Sequence, residues 1–241
     1  MSKFKIVLFA YNFPHRKTMD FIHQLYEHQF SISLILAADF VEIKSPKSLF
    51  TFPQKIVKDT AEDLAKRYNI PFYTVIHNST QSQNLLKKYN INFGIISGAR
   101  ILSTAIIQSV KKGILNLHPG ILPHVRGLDS ILWSIDKSYP IGVTAHLITD
   151  IIDSGQLIIK KSIIIRANDN LLTLYEKNYQ LQLKLLPISL NLIFNNKIND
   201  FKFEKDGVYK SRMSYDQQIE LKSKIHDYIK RYSKLKKDEK N

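Results

Sequence analysis

The chain has 241 residues, 44% of them hydrophobic, with no cysteine and a formal net charge of +14. That is enough for one large domain, or a domain with a small appendage, and the apolar content excludes global disorder. The lack of cysteine excludes disulfides, thiolate nucleophiles and cysteine-ligated metals. No apolar run approaches the roughly 20 residues that span a bilayer. The N-terminal run of about six apolar residues is too short for a signal-peptide core. We therefore expect a soluble, cytoplasmic protein. The charge has two readings: attraction to anionic ligands such as nucleic acid, phosphates or polyglutamate, or lysine-rich solvated faces. The run Lys230, Arg231, Lys234, Lys236, Lys237 inflates the count locally.

Strand and helix signals alternate along the first two thirds. Phe4–Phe9 is a short apolar run, as a buried parallel strand should be. Arg16–His28 has apolar residues at helical spacing. Ser31–Ala37 reads as a strand, and Thr60–Tyr68 as a helix opened by Thr60 with Asp63 in its first turn. Phe72–Ile76, Asn92–Ile96 and Ile114–His118 read as strands, separated by the helices Thr80–Tyr89 and Thr104–Val110. Val41–Gln54 is the expected long loop. This order predicts an α/β protein with a mostly parallel, doubly wound sheet. Ile141–Ile148 and Leu157–Ile164 are further strands around a turn at Asp150–Gly155. Leu171–Phe194 is a long helix. Phe201–Met213 is expected as a hairpin about Asp206–Gly207, and Ser214–Lys234 as a final helix. Residues 1–198 are thus expected to form the catalytic domain and 199–241 an appendage.

Asn116 and His118 stand two apart on a strand, so both face one side of it. Pro119 and Gly120 end that strand where parallel sheets build their sites. Asp153 lies in the later turn. Each residue alone reads most simply as a satisfied turn or strand-end group. All eight glycines lie at or after Gly94, so the first strand–helix junction, AYNFPHRKT, holds no glycine-rich phosphate loop.

The ordered set SGARILS (Ser97–Ser103), Asn116-Leu117-His118-Pro119-Gly120-Ile121-Leu122-Pro123 and Asp153-Ser154-Gly155 resembles the folate-dependent formyltransferase family, over roughly residues 3–195. The resemblance implies that family's Rossmann-like fold. It also implies N10-formyltetrahydrofolate as co-substrate, a primary amine as acceptor, and no metal. It makes Asn116, His118 and Asp153 a catalytic triad. Acyl transfer to an amine passes through a tetrahedral oxyanion, to which the Asn116 amide and a protonated His118 are suitable donors. Asp153 holds His118 and helps remove the amine proton. Arg100, Ile101 and Leu102 would form one folate wall, with Thr149, Asp150 and Ile151 opposite. The bland alternative for Arg100–Leu102 is a strand-to-helix loop capped by Ser103.

The glycine-free junction argues against a phosphoribosyl acceptor. The opening FAYN and the tail GVYKSRMSYD resemble the sugar-nucleotide branch of the family. That branch implies an acceptor such as dTDP-4-amino-4,6-dideoxyglucose, used for the O-antigen of lipopolysaccharide. Tyr11, Asn12, His15, Arg16 and Lys17 would then line the acceptor side, against the reading of surface residues opening a helix. Arg126 is either an acceptor contact or a turn residue with a solvated guanidinium. Residues 201–214 suggest a homodimer, or packing on their own subunit. The alternatives are another amine acceptor (phosphoribosylglycinamide or aminoacyl-tRNA), a basic nucleic-acid-binding protein with steep salt dependence, and an inactive scaffold. Neither a membrane nor a nucleic-acid partner is expected.

Overall fold

The computed structural model describes residues 4–42, 46–52, 57–198, 202–203 and 209–235. Strands and helices alternate as β1 (Ile6–Tyr11), α1 (Arg16–Glu27), β2 (Ile32–Ala38), α2 (Ala61–Arg67), β3 (Phe72–Thr74), α3 (Thr80–Lys88), β4 (Phe93–Ile96), α4 (Thr104–Ser109) and β5 (Ile114–His118). There follow β6 (Arg126–Gly127), α5 (Ser130–Asp136), β7 (Gly142–Ile148), β8 (Gly155–Ser162), α6 (Leu171–Phe194), β9 (Lys202–Phe203), β10 (Tyr209–Lys210) and α7 (Tyr215–Leu235).

The main sheet runs β3-β2-β1-β4-β5-β7-β8-β9. Its pairings are parallel from β3 to β5 and antiparallel beyond. The mostly parallel, doubly wound sheet expected from the sequence is present, and the alternation along β1 shows why. Ile6, Leu8 and Ala10 join a core that also takes Phe21, Ile22 and Leu25 of α1 and Leu185, Leu186 and Leu190 of α6. Val7 and Phe9 join the opposite core with Leu85 and Leu86 of α3 and Ile106 of α4. A strand covered on both faces needs an unbroken apolar run, and its period-two geometry divides that run between the two helix layers.

Two helices carry a capping box, in which side chain and backbone at the first turn satisfy each other's free groups. In α2 the pair is Thr60 and Asp63, as the sequence suggested, and in α6 it is Asn170 and Thr173. Helix α5 was not legible in the sequence. Six of its seven residues are buried, so it has no polar face to give a periodic signal.

The C-terminal segment departs from expectation. Among the described residues β9 and β10 do not pair with each other. β9 extends the main sheet along β8, and β10 pairs in parallel with β6. The expected turn at Asp206–Gly207 lies outside the described residues. Helix α7 closes a third core, in which Met213, Leu221, Tyr228 and Ile229 meet Val125, Ile131, Trp133 and Ile135. No helix among the described residues is long and apolar enough to cross a membrane.

Candidate active site

Strand order reverses between β1 and β4, with β2 on one side and β5 on the other. Parallel sheets leave a crevice at the carboxyl ends of strands at such a switch point. Here it is a cavity of about 460 Å³, bordered among others by Tyr11 from β1, Ser97–Leu102 after β4, and Asn116 and His118 from β5. The hairpin turn between β7 and β8 contributes Thr149–Asp153. All nine of the expected catalytic and folate residues, from three separate chain segments (Arg100, Ile101 and Leu102; Asn116 and His118; Thr149, Asp150, Ile151 and Asp153), thus border one space.

His118 is 3% exposed at the end of β5. Its Nδ1 lies 3.3 Å from Asp153 Oδ1. Its Nε2 lies 2.8 Å from the Val125 carbonyl and 3.3 Å from Ser130 Oγ. Both ring nitrogens thus have oxygen partners. The second oxygen of Asp153 accepts the Gly127 N–H at 2.7 Å. Burial pushes the Asp153 carboxyl up. The hydrogen bond and charge of His118, the Gly127 N–H and the charge of His146 outweigh it, so the pKa falls below the usual carboxylate value. Asp153 sits in the left-handed region, and Gly155 follows at φ +124°. A Cβ on Gly155 would meet the Leu147 carbonyl. The Asp-x-Gly spacing is therefore what turns the hairpin tightly enough to aim Asp153 back at β5.

Sequence reasoning assigned no role to His146. It faces Asn116 across the β5–β7 register and is fully buried. Burial first, then the charge of His118, pushes its pKa down to about 4, against smaller opposing effects of Asp153 and Ser154. The ring is neutral at pH 7. Its Nδ1–H donates to the Ser154 carbonyl at 3.1 Å, so its bare Nε2 accepts from Asn116 Nδ2 at 3.3 Å. This fixes which end of the Asn116 amide is the donor and leaves its second N–H for the cavity. The only sequence signal was a histidine in an apolar strand, and its partner is named by sheet register alone.

The Arg100–Leu102 loop is clamped from α3's side of the sheet. Asn78 donates from Nδ2 to the Ile101 carbonyl at 2.9 Å, and its Oδ1 accepts the Ser103 N–H at 2.8 Å. Ile101 and Ile152 are 64% and 37% exposed, and both line the cavity. Such paired apolar surface suits a flat heteroaromatic ring. Arg100 also reaches the Val41 carbonyl at 3.2 Å. With Tyr11 and Ile101 it borders an adjoining cavity of about 340 Å³ over the ends of β2 and β3.

The expected acceptor residues divide. Tyr11, His15 and Lys17 line the main cavity. Burial, aided by Lys17, pushes His15 down to about 4, and burial alone pushes Lys17 down to about 8. Lys17 Nζ lies 3.4 Å from the Leu117 carbonyl, and among the described residues no carboxylate pairs with it. Asn12 instead donates to Asp39 at 2.9 Å. Arg16 forms a two-pronged bond to Glu176 at 2.8 and 2.6 Å and lies 4.0 Å over the Tyr179 ring. It ties α1 to α6 and does not line either cavity. Arg126 is 7% exposed and donates to the Ile152 carbonyl. The guanidinium is therefore not solvated, and Arg126, expected as an acceptor contact, is not among the residues that line either cavity. Among the described residues no cluster of three or more His, Asp or Glu is arranged to hold a metal.

A family model described as formyl transferase matches residues 45–190, more than half of the chain. The chain belongs to the formyltransferase family. It is 30% identical over 173 residues to a methionyl-tRNA formyltransferase of Prochlorococcus marinus (strain MIT 9312), which covers 69% of this chain and 53% of that protein. The chain thus spans about half the length of this and two further Prochlorococcus marinus methionyl-tRNA formyltransferases that it matches. Among solved structures, the formyltransferase PseJ from Anoxybacillus kamchatkensis superposes with a TM-score of 0.59 at 22% identity, covering 93% of this chain and 97% of that one. That structure holds UDP-4,6-dideoxy-4-formamido-L-AltNAc and tetrahydrofolate. A phosphoribosylglycinamide formyltransferase from Anaplasma phagocytophilum gives 0.63 at 14% identity, covering 88% and 100%. At these identities the two likenesses establish the fold.

Proposed function

We propose that the chain transfers a formyl group from N10-formyltetrahydrofolate to the primary amine of a nucleotide-linked amino sugar in the cytoplasm. The working acceptor is dTDP-4-amino-4,6-dideoxyglucose, for O-antigen synthesis. One observation carries the reading: His118, linked to Asp153, and Asn116, oriented by the neutral His146, open into the same cavity. The bound folate supplies an activated formyl group. Asn116 presents its second N–H, and His118 a positive edge, toward the oxygen on which charge develops during acyl transfer. Asp153, held below the usual carboxylate range, is ionised at neutral pH and takes the proton that the attacking amine loses. The apolar pair Ile101 and Ile152 covers the pterin, while main-chain groups of Arg100–Leu102 and Thr149–Ile151 meet its polar edge.

An amino-sugar acceptor is supported by the glycine-free β1–α1 junction, which lacks the cradle a phosphoribosyl acceptor needs. It is supported too by Tyr11 and Lys17, an aromatic face and a cation without an acidic partner at the head of the cavity. We also propose a homodimer. β9 is the outer edge of the main sheet, where a second copy can add strands; light scattering of the full chain checks this. The activity is tested by incubating the protein with N10-formyltetrahydrofolate and a panel of dTDP-, UDP- and GDP-linked amino sugars, followed by mass spectrometry. A product heavier by one formyl group is expected. Formylation of glycinamide ribonucleotide or methionyl-tRNA alone would replace the amino-sugar reading with one of those activities.

A further inference from the structure

The C-terminal segment reaches the active site from outside the sheet. β10 lies along β6, with Tyr209 opposite Arg126 and Lys210 opposite Gly127. The junction is tight. The Leu128 N–H donates to the Lys210 carbonyl at 2.9 Å, Trp133 Nε1 to the Ser211 carbonyl at 2.9 Å, and the Met213 N–H to Asp129 Oδ2 at 2.9 Å. A Cβ on Gly127, which sits at φ +94°, would collide with the Lys210 carbonyl. Gly127 is also the residue whose N–H holds Asp153. The backbone that anchors the catalytic carboxylate is therefore the backbone on which residues 209–213 are seated. Tyr209 lines the main cavity there, 43% exposed, beside Leu128 at 46%. Tyr209 brings an aromatic ring with a phenol hydroxyl and Leu128 an aliphatic side chain, and both are exposed. Neither belongs to the two walls assigned to the folate, 100–102 and 149–151.

We propose that Tyr209 and Leu128 form an apolar lip against which the sugar of the acceptor packs, and that this lip selects a 6-deoxy sugar over its 6-hydroxy counterpart. The inference rests on the amino-sugar acceptor argued above and names its class further. The acceptor amine must stand beside Asp153 and His118, so the ring carrying that amine passes the Gly127–Leu128 backbone that holds Tyr209. A 6-deoxy sugar turns a methyl group and an unbroken C–H face to such a surface. A 6-hydroxyl packed on the Tyr209 ring and the Leu128 side chain would lose its water there with no donor or acceptor in exchange; the phenol hydroxyl takes no part, which Tyr209→Phe checks. The C–H face of a sugar on an aromatic ring is also a favourable contact in its own right. The residue that sets acceptor choice is in this way carried by the segment following α6 rather than by the sheet.

The test compares dTDP-4-amino-4,6-dideoxyglucose with dTDP-4-amino-4-deoxyglucose for the wild-type chain, Tyr209→Ala and Tyr209→Phe. For wild type we expect kcat/KM about 10-fold or more in favour of the 6-deoxy sugar, the usual yield of one apolar group in a fitted pocket. Tyr209→Ala should raise the KM of the 6-deoxy acceptor about 10-fold and erase most of the preference, with kcat within about twofold. Tyr209→Phe should behave as wild type. Affinity for the unreactive 5-formyltetrahydrofolate, measured by calorimetry, should be the same for all three proteins. A Tyr209→Ala enzyme that keeps its sugar preference, or that loses folate affinity instead, overturns the inference and leaves the formyltransferase reading standing. A wild-type protein that formylates neither sugar overturns both.

Discussion

The Asn116 amide has one orientation because His146 has one tautomer. A histidine sealed between β5 and β8 cannot carry charge cheaply, and its proton is committed to the Ser154 carbonyl. What remains is a lone pair facing Asn116. This has a consequence for stability. The unfolded chain takes up a proton on His146 near pH 6.5, while the folded chain resists it down to about pH 4. Between those values the unfolded state binds more protons, so stability falls as pH drops through the window, by order of 3 kcal/mol from this residue. Thermal unfolding from pH 7 to pH 4 should show a steeper decline for wild type than for His146→Asn; equal slopes would mean that His146 is not held neutral. At the reacting centre, His118→Asn should lower turnover by about 10²–10⁴ while leaving circular dichroism unchanged. Near-normal turnover would remove His118 from the chemistry. Asp153→Asn should lower the rate and move the pH profile of kcat/KM, because the carboxylate that faces His118 is gone. A slower enzyme with an unmoved profile would limit Asp153 to positioning.

Among elements, the loop after β4 shows how a site wall is stiffened from outside itself. Residues 100–102 have no regular hydrogen bonding of their own. Asn78, at the start of the turn into α3, holds both sides of the loop, accepting from Ser103 and donating to Ile101. Removing a partner that satisfies two backbone groups costs about 1 kcal/mol per bond. Asn78→Ala should therefore weaken 5-formyltetrahydrofolate binding by about 10-fold or more, read by calorimetry, with no effect on the melting temperature beyond a few degrees. Unchanged affinity would show that the loop keeps its shape unaided. The loop's existence was legible from SGARILS. Its clamp was not, because Asn78 and Ile101 belong to different strand–helix units and meet through the order β3-β2-β1-β4 in the sheet.

At the scale of the whole molecule, residues 209–235 pack against the body of the protein. Met213, Leu221, Tyr228 and Ile229 are buried against Val125, Ile131, Trp133 and Ile135, and the Tyr228 and Tyr232 hydroxyls close on the Tyr139 and Ser138 carbonyls at 2.7 and 2.6 Å. A chain ending at residue 198 would expose this core and leave β6 without its partner. We expect it to be poorly soluble or to melt at least about 10 °C below the full chain, since losing several buried large side chains costs several kcal/mol. A truncated chain as stable as the full one would make the appendage an independent unit.

The amino-acid sequence by itself determined the doubly wound sheet with its covering helices and the formyltransferase class. Apolar runs of strand length alternating with amphipathic helices leave a doubly wound sheet as the arrangement that buries both faces, and Asn116, His118 and Asp153 stand in an order that few other chemistries require. These are local properties, carried by period, turn residues and short spacing. The tertiary structure decided which groups serve that chemistry from a distance. It set His146 against Asn116 through strand register, turned Arg16 and Asn12 to α6 and β2 instead of the cavity, buried Arg126, and brought Tyr209 to the site along β6. Each of these depends on which segments lie side by side after folding, and a one-residue change of register would alter it without altering any local pattern in the sequence.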